Sequence, residues 1–119
     1  MATRAKSKIS TPWDASGIEI WRWTGLANGD DGDPLTFPQF SDRSVQVKGT
    51  FGAGGTVIIE ASNDTESPTY APATDPNQNA ISFDSPGREQ ILDISYLIRP
   101  RVTAGDGTTS ITVTIVAKK

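Results

Sequence analysis

The side chains with most chemical capacity in this chain are cations at alternate positions. Arg4, Lys6 and Lys8 are separated by single small residues, and Arg99 and Arg101 alternate with Ile98, Pro100 and Val102. On an extended backbone a spacing of two puts side chains on one side, so each set makes a local positive patch. Guanidinium and ammonium groups so placed bind carboxylates, Arg through paired hydrogen bonds. Both sets are therefore candidate docking residues for acidic groups on a partner protein. Arg99 and Arg101 also read as a solvated charged face that discourages edge-to-edge aggregation. Residues 1–11 read either as a flexible basic arm that orders on a partner or as a frayed terminus.

The acidic residues offer less. Asp30, Asp31 and Asp33 bring oxygen ligands of the kind calcium prefers. The pattern D-x-[DN]-x-[DN]-G with a distant Glu is not met, so the expectation is a solvated acidic turn and no metal. Carboxylate pairs such as Asp14 with Glu19, or Glu60 with Glu89, need a cleft to raise one pKa, and their flanks read as strands open to water. The chain has no His and no Cys. Ser–His–Asp catalysis, disulfides and thiolate zinc sites are thereby excluded. Residues 49–55 are glycine-rich but lack the lysine and following helix of a phosphate loop. The expectation is a protein that is not an enzyme and takes no cofactor.

The tryptophans are ambiguous. Ile18, Ile20 and Arg22 point one way along a strand, and Glu19, Trp21 and Trp23 the other. With the isoleucines inside, Trp21 and Trp23 stand outside and suit a subunit interface, where Trp often anchors. With the faces exchanged, both indoles enter the core.

The elements that position these residues are strands. Ile111, Val113 and Ile115 alternate with Ser110, Thr112 and Thr114, the pattern of a sheet with one buried face. Residues 105–107, Gly-Asp-Gly, make the turn that joins this strand to the one before it. Residues 44–51 and 56–62 read as a hairpin about the glycines of 52–55, with Val45, Val47, Val57 and Ile59 inward. Further strands are expected at 17–24, 80–83 and 88–95, and Pro38 suits an edge strand or an irregular crossing. No window carries helical periodicity. The reading is all-β: an antiparallel β-sandwich of seven or eight short strands, one domain over residues 12–119. A net charge of −3 argues against a nucleic-acid partner, and no apolar run approaches the roughly 20 residues that span a bilayer. No apolar segment follows the N-terminal cations, so no secretory signal is read and the cytoplasm is the expected place of synthesis.

Residues 45–51, 56–64 and 96–116 together resemble small virion proteins of tailed bacteriophages, most of all the capsid cement, or decoration, proteins of short-tailed phages. The likeness covers roughly residues 45–119. It implies a jelly-roll-like sandwich on the capsid exterior, bound to the major capsid protein, often as a homodimer, with no membrane or nucleic-acid partner. Such a protein clamps neighbouring shell subunits against the pressure of packaged DNA, and two weak grips joined in a dimer gain avidity of about 10²–10⁴. On this reading Arg4, Lys6, Lys8, Arg99 and Arg101 contact the shell, and Trp21 and Trp23 the subunit interface. Similar sandwiches occur in tails, fibres and baseplates. A carbohydrate-binding module that stacks sugars on Trp13, Trp21 or Trp23 is the remaining alternative.

Overall fold

A computed structural model describes residues 2–36, 40–92 and 94–119, so the expectation for Pro38 lies outside the described residues. The strands are β1 (Thr3–Arg4), β2 (Ser7–Ile9), β3 (Ile18–Leu26), β4 (Asp31–Gly32), β5 (Leu35–Thr36) and β6 (Asp42–Thr50). They continue with β7 (Thr56–Ser62), β8 (Ala71–Pro72), β9 (Ser82–Phe83), β10 (Gly87–Ile91), β11 (Leu97–Ala104) and β12 (Ser110–Lys118). One 3-10 turn, Asp14–Ser16, precedes β3, and among the described residues there is no α-helix.

Two sheets face each other. One has the order β10-β6-β12-β3-β2, and the other β1-β4-β11-β7-β8, with β5 also on β11 and β9 also on β7. Every pairing is antiparallel except β1 with β4. With β4 and β5 taken as one interrupted strand, β8 and β9 as another, and the short edge strands β1 and β2 set aside, the remaining eight units form two four-stranded sheets in jelly-roll order. The all-β sandwich expected from the sequence is the observed fold. The larger number of strands comes from two-residue pieces on either side of interruptions such as Asp33–Pro34.

The expected hairpins are not hairpins. β6 pairs with β10 and β12, whereas β7 pairs with β11, β8 and β9, so the turn at 52–55 carries the chain from one sheet to the other. The turn at 105–107 does the same between β11 and β12. Alternation identifies the buried face of a strand and is silent about which strand lies beside it. These two crossings are tied together. Asp106 accepts hydrogen bonds from Ala53 N–H at 2.8 Å and from both the N–H and hydroxyl of Thr108 at 2.8 and 2.7 Å. Thr109 donates its hydroxyl to Phe51 O at 2.8 Å and accepts from Asp106 N–H at 2.9 Å. Gly52 sits at φ +74°, and a Cβ there would collide with the Asp106 carboxylate, so the contact requires glycine.

The core lies between the sheets. Val45, Val47, Ile111, Val113 and Ile115 face Val57, Ile59, Ile98 and Val102, all buried. Each such side chain contributes about 1.5–3 kcal/mol on burial. β3 turns its tryptophan face inward: Trp23 stands opposite Val113, Trp21 opposite Ile115, and Ile18 and Ile20 are left half-buried outside. Burying two indoles removes more apolar area from water than burying two isoleucines. Trp23 is 0% exposed and its Nε1–H donates to Asp33 O at 3.0 Å, which satisfies its polar atom.

Residues 2–9 also differ from the expected free arm. β1 pairs with β4 at the edge of one sheet, and β2 pairs with β3 at the edge of the other. The segment therefore laces the two sheets along one side of the sandwich. The acidic turn 30–33 supplies its anchors.

Candidate functional site

Arg99 and Arg101 project outward from β11, as their spacing requires, and meet an acid there. Glu60 on β7 stands directly across from Arg99 and is 3% exposed. Arg99 Nε donates to Glu60 Oε1 at 2.8 Å, and Arg101 Nε to both carboxylate oxygens at 3.2 Å. Arg99 Nη1 also lies 3.3 Å from Asp31 Oδ2. The Tyr70 ring covers the Arg99 guanidinium, with 3.8 Å between the guanidinium carbon and the ring centroid. Burial raises the Tyr70 phenol pKa, partly opposed by the Arg99 charge and reinforced by Glu60, Asp31 and Asp33. A carboxylate taken this far out of water needs such partners. These two arginines are therefore engaged within the fold.

The N-terminal cations are engaged as well. Arg4 Nε donates to Asp30 Oδ2 at 2.8 Å, Ala27 N–H to the same oxygen at 2.9 Å, and Ala2 N–H to Oδ1 at 2.9 Å. Burial pushes the Asp30 pKa up. The bonds from Ala27, Arg4 and Ala2, with the Arg4 charge, outweigh it and hold the carboxyl below its usual range. Thr3 Oγ1 donates to Asp31 Oδ1 at 2.7 Å, and Lys6 Nζ to Asp33 Oδ2 at 2.8 Å. Lys6 also sits 5.8 Å from the Trp21 ring centroid, while Trp21 Nε1–H donates to Glu19. Of the five cations expected to contact the shell, only Lys8 is exposed without a carboxylate partner among the described residues. The turn read as solvated is instead the receptor for β1. Among the described residues no group of three or more His, Cys, Asp or Glu is placed to hold a metal ion.

Trp21 and Trp23 likewise leave the expected interface: Trp23 is in the core and Trp21 packs against it. Among the described residues the large apolar side chains that are exposed are Trp13 at 62%, Leu92, Ile94 and Tyr96.

The opposite surface carries what the sequence reading missed. On the outer face of the β12 sheet, register sets Arg88, Gln46, Thr114, Arg22 and Ser7 in one row across five strands. The adjacent row is Gln90, Ser44, Val116, Ile20 and Ile9. Lys48 stands opposite Thr112, and Lys118 lies between Asp42 and Ile18. Arg22 Nε donates to Thr114 Oγ1 at 3.1 Å. Among the described residues Arg22, Lys48, Arg88 and Lys118 make no ion pair. A groove of about 480 Å³ opens on this face between Arg88 and Lys118, with Ser44, Gln90 and Val116 lining it and Asp42 and Glu89 beside them. A second cleft, of about 380 Å³, lies at the β7–β8 edge among Asn63, Thr69, Pro72 and Ile94, and among the described residues no charged side chain lines it. No local window could reveal the basic face, because its four cations come from four strands. The available signal was parity: Lys48 and Lys118 occupy the polar phase of strands whose apolar phase is plainly inward.

This fold, a jelly-roll sandwich with an apolar interior, recurs among solved structures. The SPBc2 prophage-derived protein YomS matches with a TM-score of 0.64 at 12% identity, over 86% of this chain and 95% of that one. Peruvianin-I, a cysteine peptidase from Thevetia peruviana latex, matches with a TM-score of 0.50 at 14% identity, over 96% of this chain and 60% of that one. Fe(II)-HppE with an alternative substrate gives a TM-score of 0.50 at 13% identity, over 94% of this chain, which spans about half (48%) of that protein. At such identities the likeness is one of fold. No protein-family model and no curated protein matches the chain.

The HppE likeness corrects the expectation that this protein is not an enzyme. HppE is hydroxypropylphosphonic acid epoxidase, and in its Fe(II) form it shares this arrangement of sheets. The expectation rested on the lack of His, Cys and recognised catalytic motifs, and a sandwich of this kind also serves as an enzyme scaffold. Fold does not set function; sites placed upon it do. Among the described residues, no helix is long and apolar enough to cross a membrane.

Proposed function

We propose that this chain is a structural protein of a tailed-phage virion, a decoration protein that binds the outside of the head and bridges neighbouring major capsid protein subunits. The observation that carries the reading is the near end-to-end correspondence with a prophage-derived protein, 86% of one chain on 95% of the other. The strand-and-turn pattern that resembles cement proteins supports it. So does the architecture: two sheets locked by cross-turn hydrogen bonds and edge lacing give a stiff body with broad faces. Clamping by a dimer multiplies modest contacts through effective concentration.

Heads and tails of a phage lacking this protein, separated and mixed with the purified full chain, test the assignment. Co-sedimentation with heads, to a saturating stoichiometry, is expected. Binding only to tails, or to neither, overturns the head assignment. Light scattering of the free protein checks the dimer, for which a monomer mass is the contrary result.

A further inference from the structure

We propose that the outer face of the β12 sheet is the docking surface of this protein, and that it fits a carboxylate-rich protein surface. Naming that surface as a phage head rests on the function proposed above; the charge-mediated contact does not. Four cations from four strands, Arg22, Lys48, Arg88 and Lys118, spread over this face without an ion pair among the described residues. The chain does not lack acids, since its formal charge is −3. On the opposite sheet the same chain neutralises its outward arginines with Glu60 and Asp31. The two faces thus differ in kind, one self-satisfied and one open.

The open face has the size and texture of a protein contact. Three strands of nine residues, β3, β6 and β12, flanked by β10 of five and β2 of three and spaced about 4.8 Å apart, give a surface of at most roughly 20 by 30 Å. That is roughly 600 Å², near the ~800 Å² each partner gives to a standard interface. Ile20 and Val116 are neighbours across β3 and β12, with Ile18 beside them, all half-buried. They make an apolar centre, and the cations stand around it. An apolar middle with a charged rim is how protein interfaces are built. Nucleic-acid surfaces are denser in positive charge and gain from phosphates, which an isoleucine–valine centre does not recognise. The groove, lined by Arg43, Arg88 and Lys118 against Asp42 and Glu89, keeps an excess of positive charge and gives a projecting carboxylate a place between Arg88 and Lys118.

The test uses the full chain labelled with ¹⁵N. Poly-L-glutamate, titrated at low salt, is expected to shift amides of β3, β6, β10 and β12 around Arg22, Gln46, Arg88 and Lys118. Adding salt should reverse the shifts, because the Debye length falls to about 3 Å at 1 M. The double variant R88E/K118E should weaken binding about tenfold or more, chiefly through slower association, and K8E should stay within about twofold. All three positions are exposed, so melting should be unchanged. Shifts elsewhere on the molecule, equal losses in K8E and the double variant, or preferential binding of duplex DNA overturn the inference. Phage particles separate the two readings. Tails bound by the wild type and lost by R88E/K118E leave this face standing and remove the head. Heads bound equally by both proteins leave the head standing and remove this face.

Discussion

Glu60 lies between two guanidinium groups on a sheet surface that would otherwise be open to water. Its position fixes the roles of Arg99 and Arg101. Replacing it by glutamine keeps the shape and removes the charge, so Arg101 loses its counter-ion and Arg99 keeps only Asp31. E60Q should lower unfolding free energy by about 2 kcal/mol, less than a fully buried pair because Arg101 is still 42% exposed and water screens it. Urea denaturation measures the loss, and an unchanged midpoint would show the cluster to be ornamental to stability. Asp106 makes a different prediction. Hydrogen bonds from Ala53 and Thr108 depress its pKa from 3.8 to about 2. Between those values the unfolded chain binds more protons than the folded one. The stabilisation is therefore complete above the unfolded value and is lost as pH falls through about 2. D106N should melt below the wild type near neutral pH, and the gap should close on acidification. A gap that persists at about pH 2 would assign the effect to shape and not to charge.

Elements were legible in phase and illegible in company. The inward residues of β6, β7, β11 and β12 follow directly from alternation: Val45, Val47, Val57, Ile59, Ile98, Val102, Ile111, Val113 and Ile115 are buried as expected, and Ala61 partly so. Whether β6 lies beside β7 or across the core from it is not written in that period, because hairpin and crossing bury the same side chains. For β3 both phases carry large apolar residues, and only the competition between indole and isoleucine area decides. The N-terminal segment was missed for a related reason. Arg4 and Lys6 were read apart from Asp30 and Asp33, although opposite charges at similar spacing on two stretches of one chain are each other's nearest candidates. Because Arg4–Asp30 and Lys6–Asp33 add charge attraction to the backbone pairing of β1 with β4, its attachment should weaken with salt. Amides of residues 2–9 should exchange faster at about 1 M salt while those of β12 do not. Equal protection at both ionic strengths would assign the hold to backbone pairing.

At the scale of the molecule, β12 has a place that its neighbours cannot fill. It is the bridge between β3 and β6, which do not pair with each other, and it pairs along its length with both. Until residues 110–118 arrive, one layer of the sandwich exists only as two halves without a seam. The other layer has β11 at its middle, with β4 and β7 at its sides, so it too is completed late in the sequence. Chain closure over such separations is slow, and refolding is expected in the millisecond-to-second range of non-local β topologies. Stopped-flow tryptophan fluorescence should follow it, since Trp23 becomes enclosed only when Val113 is in place beside it. A nascent polypeptide of this design must stay unassembled until residues 110–118 have been made, with its sticky stripes in need of shelter. Its abundance in a cell would then be governed as much by that exposed interval as by the strength of the finished body.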